Sequence, residues 1–150
     1  MSPDDVEIVR RWCQAAAGWF DAGRDPEGLA RIAERYMAEE VVYEEDRVWP
    51  DAGEFRGRDA VNGRFLEYVE LVHVRGVRAG RVIGGRELVL AEIEIEMLGQ
   101  DAGEPIKFLW TYTLRVEHGR IAHFRAWYNA RQGAAAAGID EAAVPSEGQT

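Results

Sequence analysis

Hydrophobic residues recur at helical spacing along the first half of the chain. In residues 4–22 they form one stripe, made of Val6, Val9, Cys13, Ala16 or Ala17, and Phe20. A second helix is predicted over about 26–38, because Pro26 suits its first turn and apolar residues again fall on one side. A third is predicted over 56–74, where the apolar face consists of Val61, Phe65, Tyr68 or Val69, and Val72. The chain therefore opens with helices that bury one face each.

A period of two replaces this spacing in the second half. It is clearest in residues 86–98, where Val89, Ala91, Ile93, Ile95 and Met97 alternate with glutamates. The pattern predicts strands over 41–46, 76–84, 86–98, 106–116 and 120–130. Ile121 is out of phase with the alternation that follows it, which predicts a β-bulge near Ala122 or His123.

The order of these elements predicts an α+β fold. Three helices come first, one strand interrupts them, and four strands follow, as expected of a strongly curved antiparallel sheet wrapped around three helices. With 150 residues the chain forms one domain. We assign that domain to residues 1–130, because 131–150 show no strand pattern and are expected to form a disordered or loosely packed tail.

Charge and motif content exclude several classes of function. A net charge of −9 opposes binding to nucleic acids and to anionic membranes. No apolar segment is long enough to span a bilayer, and no signal sequence precedes the first helix, so we expect a cytoplasmic protein. The single cysteine, Cys13, is predicted to be a core residue. The three separated histidines predict no metal site, and we expect no cofactor.

Three consecutive acids, Glu44, Glu45 and Asp46, end the first predicted strand. Alternation places Glu45 on the same face as Val41 and Tyr43, and this face is predicted to line a pocket. No lysine or arginine of the strand shares that face, so burial among aromatic residues would favour the protonated form of the Glu45 carboxyl group. A carboxylate in such surroundings is suited to proton transfer next to a carbonyl group. The alternative is that all three acids are solvated at a strand end, beside Arg47 or Arg58.

The segments DAGRDPEGLA, VVYEED, FRGRDAV and HGRIAHFRAWYN occur in an order that resembles the SnoaL-like branch of the nuclear transport factor 2-like superfamily, over roughly residues 5–130. The resemblance implies a cystatin-like, cone-shaped fold with a mostly apolar pocket between the concave face of the sheet and the helices. Relatives include ketosteroid isomerases, polyketide cyclases, scytalone dehydratases and limonene-epoxide hydrolases. A shared fold does not transfer a reaction, so each residue is compared separately.

Each enzyme of this group is matched only in part. Glu45 occupies the position of the proton-shuttling carboxylate of ketosteroid isomerases, whereas Ala16 and Tyr112 replace the pair that holds the oxyanion; Tyr112 retains a hydrogen-bond donor. Asp21 and His73 lie where scytalone dehydratases place an acid and a histidine, but their second histidine is missing. Epoxide hydrolysis is not expected, because Ala126 replaces a catalytic aspartate and Glu92 and Glu94 have no accompanying arginine. The catalytic candidates are therefore Glu45, His73, Asp21 and Tyr112.

Aromatic residues predict the walls of the pocket. The ligand-binding candidates are Tyr43, Trp19, Phe65, Phe108, Trp110, Phe124 and Tyr128, although inward aromatic residues also fill cores.

The opposite face of the sheet carries Glu92, Glu94 and Glu96. It is expected to meet solvent or a second copy in a homodimer formed through the sheet, with Lys107, Arg115 or Arg125 as charge partners.

Two functional hypotheses follow from these patterns. The first is a protein that binds a small hydrophobic molecule and isomerises, cyclises or dehydrates it by acid–base chemistry. The second is a non-catalytic ligand-binding or dimeric assembly module.

Overall fold

The computed structural model describes residues 2–98 and 104–140, which form four helices and one six-stranded sheet. The helices are α1 (Pro3–Asp21), α2 (Pro26–Tyr36), α3 (Arg58–Leu71) and α4 (Ala130–Ala137). The strands are β1 (Met37–Glu45), β2 (Glu54–Arg56), β3 (Val74–Gly84), β4 (Val89–Met97), β5 (Ile106–Glu117) and β6 (Arg120–Trp127). The α+β class is confirmed, with a curved sheet that does not close on itself. In the described part of the chain, no helix is long and apolar enough to cross a membrane.

The strand order is β2-β1-β6-β5-β4-β3. The pairs β3–β4, β4–β5 and β5–β6 are antiparallel, as the alternation predicted. One pair departs from the antiparallel arrangement, because β1 pairs with β6 in parallel. Alternation in a sequence shows which face a side chain occupies but carries no information about the direction of the neighbouring strand.

The predicted bulge in the last strand is present. Arg115 on β5 faces His123 on β6, whereas the next residue, Val116, faces Ile121, so Ala122 is the extra residue. The bulge returns Ile121 to the buried face that Phe124 and Ala126 also occupy, and all three are fully buried.

The core lies between the concave face of the sheet and the first three helices. From α1, Val9, Trp12, Cys13 and Phe20 are buried, and the Trp12 ring meets the edges of Tyr112 and Phe124 at centroid distances of 6.0 and 5.5 Å. Burial raises the pKa of the Cys13 thiol to about 12, so it stays protonated as a core side chain.

The fourth helix corrects the expectation of a loose tail from residue 131. Asn129 accepts hydrogen bonds from the backbone N–H groups of Arg131 and Gln132, and Gly138 ends the helix in the left-handed conformation. Small side chains let α4 approach the convex face of the sheet closely, and Ala134 and Ala137 are fully buried with Leu90 of β4. Both helix-end signals are present in the sequence, although the segment between them shows no strand alternation. The part of the predicted tail beyond residue 140 lies outside the described residues.

The convex face is also less solvated than predicted at Glu92. This carboxylate is 2 % exposed and forms an ion pair with Arg81 of β3, with Nε and Oε1 2.6 Å apart. Its partner therefore comes from the neighbouring strand β3 rather than from Lys107, Arg115 or Arg125. Glu94 and Glu96 are half-buried on the same face.

Candidate functional site

A cavity of about 480 Å³ lies beside the end of β1, between α3, the β1–β2 connection and the beginning of β5. Half of its lining residues are aromatic: Trp49, Tyr68, Phe108, Trp110, Trp127 and Tyr128. Three are aliphatic, Leu71, Val72 and Leu109, and three are charged, Glu45, Asp51 and Arg64. The cavity thus combines apolar walls with a small charged cluster, as sites for small molecules commonly do.

The connection between β1 and β2 brings Trp49 to this cavity. Asp46 fixes the first turn, because its side chain accepts hydrogen bonds from the backbone N–H groups of Val48, at 3.2 Å, and Tyr128, at 3.0 Å. The far end is fixed to β1, since the backbone N–H of Glu45 donates to the carbonyl of Gly53 at 3.0 Å. The acid-rich turn in the sequence therefore has a structural role, because it holds Trp49 beside the cavity.

Aromatic rings contact one another along the wall. The Trp49 ring stacks on Trp110 with centroids 5.0 Å apart and planes inclined by 19°. Tyr68 meets Trp110 edge-on at 5.0 Å, and Phe108 lies 5.3 Å from the same ring. Trp110 is the centre of this wall, and its indole N–H is buried without a hydrogen-bond partner.

Glu45 lies inside the site, as its strand face predicted, and is 8 % exposed. It does not lie there unpaired. Arg64 of α3 forms a bidentate ion pair with it, with Nε and one terminal nitrogen each 2.9 Å from a carboxylate oxygen. The Arg64 side chain is 10 % exposed. Its hydrogen bond to Glu45 raises the pKa of the Arg64 guanidinium above the ordinary value. The expected surroundings of Glu45 therefore lacked one group, a buried arginine from α3 that pairs with its charge.

The sequence contains a signal for the role of Arg64. Val61, Phe65 and Tyr68 define the apolar face of the third helix, and Arg64 falls on that same face at the i+3 position from Val61. An arginine on a buried helical face needs a buried partner. The only acid predicted to point inward from the preceding strand is Glu45.

The contacts of Glu45 limit its chemistry. Besides Arg64, one carboxylate oxygen accepts from the backbone N–H of Gly53 at 3.2 Å, and the other accepts from the Tyr43 hydroxyl at 3.4 Å. A carboxylate offers about four acceptor positions, and these contacts occupy about that number. Glu45 can take a proton from a bound molecule only after giving up one of them.

The charge of Glu45 influences three tyrosines, one of which, Tyr43, donates a hydrogen bond to it. Burial is the main cause that raises the pKa of Tyr68 above its ordinary value, and the negative charge of Glu45 is the second. Burial chiefly raises the pKa of Tyr43 and of Tyr112 as well, with Glu45 contributing to both. All three phenols are therefore neutral at physiological pH. Tyr112, a catalytic candidate, is 6 % exposed, lies in the core between Trp12 and Phe124, and is not part of the cavity wall.

Two other catalytic candidates lie away from Glu45. Asp21 is exposed at the end of α1. His73 is exposed after α3, where its φ of 51° places it in the left-handed region, and it borders a separate groove together with Trp19. The Trp19 indole donates to the carbonyl of Asp25 at 2.7 Å, so this ligand-binding candidate instead fixes the link between α1 and α2.

The remaining aromatic candidates fall into two groups. Phe108, Trp110 and Tyr128 line the cavity, although Tyr128 is 65 % exposed because it follows β6 instead of pointing inward from it. Tyr43, Phe65 and Phe124 form a core cluster beneath the cavity, with Tyr43 stacked on Phe124 at 4.6 Å. Trp49, Tyr68 and Asp51 line the cavity and were not predicted. A tryptophan in a polar, proline-containing turn was the signal for Trp49.

Within residues 2–98 and 104–140, no group of three His, Cys, Asp or Glu side chains is placed to hold a metal ion. The charged groups of the cavity instead contact one another through Arg64. The site as described offers aromatic surface, hydrogen-bonding groups and charge.

Solved structures with the same fold are similar to this chain at low sequence identity. A protein of Mesorhizobium loti assigned to the SnoaL-like polyketide cyclases has a TM-score of 0.61 and 18 % identity, covering 81 % of this chain and 97 % of that chain. A protein of Catenulispora acidiphila with a ketosteroid isomerase-like fold, in complex with trimethylamine, has a TM-score of 0.58 and 18 % identity, covering 93 % and 96 %. TerC, co-crystallised with polyporic acid, has a TM-score of 0.59 and 18 % identity, covering 84 % and 92 %. These likenesses show the fold.

The sequence agrees with the structural comparison. No curated protein matches the chain significantly. The family model of the SnoaL-like domain, however, matches residues 9–124, which is most of the described sheet and the three helices that pack on its concave face. The chain therefore belongs to the SnoaL-like domain family.

Proposed function

We propose that this protein binds a small, mainly apolar molecule in the cavity beside Trp49 and Trp110. The observation that carries the proposal is the cavity itself: about 480 Å³, half lined by aromatic residues, next to a fully hydrogen-bonded buried ion pair. Such a volume suits a molecule of one or two rings. The Glu45–Arg64 pair then shapes the wall and does not act as a proton shuttle.

The exposed apolar residues around the cavity support this assignment. Leu71 and Tyr128 both line it and are 63 % and 65 % exposed, so apolar surface continues from the cavity to solvent. Exposed apolar residues that join a concave apolar site mark places where molecules bind. Two proteins of this fold have been crystallised with small molecules, trimethylamine and polyporic acid, which supports the same kind of role here.

Acid–base catalysis of an isomerisation, cyclisation or dehydration is the second candidate. It is favoured by the presence of the Glu45 carboxylate and the Tyr68 hydroxyl at one cavity. It requires Glu45 to release a hydrogen bond when the substrate binds. Asp21 and His73 do not assist it, because both residues are exposed away from this cavity.

Binding can be tested with N-phenylnaphthylamine, a neutral fluorophore whose emission rises in apolar surroundings. We expect saturable binding that Leu71→Ala weakens about fivefold, because it removes apolar surface from the cavity wall. Fluorescence titration of the two proteins measures this.

Ile106→Ala is the matched control. Ile106 is 52 % exposed, resembles Leu71 in size and does not line the cavity, so its replacement is expected to leave the affinity unchanged. Absence of saturable binding, or equal losses in the two variants, contradicts the proposed site.

We also propose that the protein forms a homodimer through the convex face of the sheet. The fourth helix packs on β4, β5 and β6 and so restricts this contact to the area that it leaves uncovered. Light scattering across a range of concentrations is expected to give twice the monomer mass, with moderate sensitivity to salt because charged residues share this face. A monomer at the highest concentration contradicts this proposal.

A further inference from the structure

We propose that the ligand of this cavity is a cation, an organic ammonium group with apolar substituents. The inference rests on the proposed binding function and adds the charge of the ligand to it. It follows from the charge of the cluster at the cavity, from the contacts that occupy Arg64 and from the aromatic walls.

The charged cluster at the cavity has an excess of negative charge. Arg64 contacts three carboxylates: Glu45 at 2.9 Å, Glu67 at 2.8 Å and Asp51 at 3.4 Å. Glu45, Asp51 and Arg64 line the cavity with a net charge of −1, and Glu67, which contacts Arg64 without lining the cavity, adds a further negative charge to the cluster. Among the described lining residues Arg64 is the only basic one, so a cation entering this cavity meets attraction.

Arg64 is not available to an anionic ligand. Its Nε and one terminal nitrogen are held by Glu45, the other terminal nitrogen by Glu67, and Asp51 takes a further contact through its side chain and its carbonyl group. An anion would have to displace one of these carboxylates. The single positive group of the cavity therefore neutralises the protein's own acids and cannot recognise a carboxylate or phosphate.

Asp51 has the accepting capacity that an ammonium group needs. Its side chain is 72 % exposed, and its contact with Arg64 is longer than those of the other two acids. Glu45, in contrast, is buried and already fully paired. Asp51 is thus the carboxylate placed to face a charged ligand at the cavity mouth.

The rings at the cavity suit the same ligand. The faces of aromatic rings carry negative electrostatic potential, and tryptophan attracts cations most strongly. Trp49, Trp110 and Tyr68 lie together in the wall. Burial and the charge of Glu45 keep the Tyr68 phenol protonated by raising its pKa. Methyl groups on the ammonium would contact the rings while its charge interacts with their faces.

Two probes of equal shape test the inference. Phenyltrimethylammonium and tert-butylbenzene differ in one atom, a charged nitrogen in place of a carbon. If hydrophobicity alone decided the affinity, tert-butylbenzene would bind more tightly than the charged phenyltrimethylammonium. We expect the ammonium to bind about tenfold more tightly, and we expect that preference to fall as ionic strength rises to about 0.5 M. Binding is followed through the indole N–H resonances of Trp49 and Trp110 in NMR titrations.

Asp51→Asn is the variant that decides the role of charge. It should weaken binding of the ammonium about fivefold and leave binding of tert-butylbenzene unchanged. Glu54→Gln is the control, because it removes the same charge from the neighbouring strand β2, where Glu54 pairs with Arg56 and does not line the cavity. It should change neither affinity.

The outcomes separate this inference from the proposed function. Equal or tighter binding of tert-butylbenzene at Trp49 and Trp110 overturns the inference and leaves the binding function standing. An equal effect of Asp51→Asn and Glu54→Gln on the ammonium also overturns it, because the attraction would then be general to the acidic surface. Absence of any shift at the two indoles with either probe overturns the inference and the proposed function together.

Discussion

Arg64→Met is expected to lower the free energy of unfolding by about 3 kcal/mol at neutral pH. The substitution keeps most of the volume of the side chain but leaves the Glu45 carboxylate buried without its cation. The two remaining donors, the Gly53 N–H and the Tyr43 hydroxyl, do not replace a bidentate charged contact. Urea denaturation followed by circular dichroism measures the loss.

A double-mutant cycle shows whether the loss comes from the pair. The Glu45→Met, Arg64→Met protein has no buried charge in either partner, so it should be more stable than Arg64→Met alone. Arg11→Met is the control, because Arg11 pairs with Glu7 on the exposed face of α1 and should contribute less than about 1 kcal/mol. A loss in Arg64→Met no larger than that of Arg11→Met contradicts the structural role assigned to the pair.

The cycle also bears on function. A carboxylate that serves as the catalytic base is commonly held so that one acceptor position faces the substrate. The contacts of Glu45 with Arg64, Gly53 and Tyr43 fill its positions instead. A strong stabilising coupling between Glu45 and Arg64 would therefore agree with a binding role.

Gly85→Ala is expected to cost about 3 kcal/mol of stability. Gly85 lies in the turn between β3 and β4, where the C-terminal end of α4 approaches the sheet. A Cβ atom at this position would overlap the carbonyl oxygen of Ala137 and lie 2.8 Å from that of Leu88. Both obstacles are backbone, so a change of side-chain rotamer cannot relieve the clash. Thermal and urea denaturation measure the cost.

The same clash should release α4 before the rest of the fold. The carbonyl of Ala137 accepts hydrogen bonds from the backbone N–H groups of Glu87 at 3.0 Å and Leu88 at 3.3 Å. Amide exchange at α4 should therefore accelerate in Gly85→Ala more than exchange in α1. Gly63→Ala is the control: no atom lies within 4 Å of its Cβ position in α3, and alanine there should stabilise the helix by about 1 kcal/mol. Unchanged stability of Gly85→Ala would contradict the docking of α4.

The sequence by itself determined most of the elements and the faces of their side chains, whereas β2 and α4 were not predicted. Alternation placed Glu45 with Tyr43 on the inner side of β1, and both are buried there. The phase shift at Ile121 predicted a bulge near Ala122 or His123, and the extra residue is Ala122. These features depend on the repeat of local backbone geometry, which the order of apolar and polar residues records directly.

The end signals of α4 were also local, but they were missed. Asn129 before the helix and Gly138 after it are residues of the types that begin and end helices. The alanine-rich segment between them has too little apolar side chain to show a strong stripe. Several side chains of α4 are buried because the helix lies close to the sheet. Small residues allow this close approach, but they do not produce a visible hydrophobic pattern in the sequence.

Only the tertiary structure decided the partners of the charged groups and the direction of strand pairing. Glu45 and Arg64 are nineteen residues apart and meet because α3 packs over β1. Trp49 reaches Trp110 because a turn fixed by Asp46 carries it across the cavity, and β1 joins β6 in parallel. Each of these contacts links segments that are distant along the chain. Local periodicity shows which side chains are turned inward, whereas the packing of helices on the curved sheet decides which of them meet.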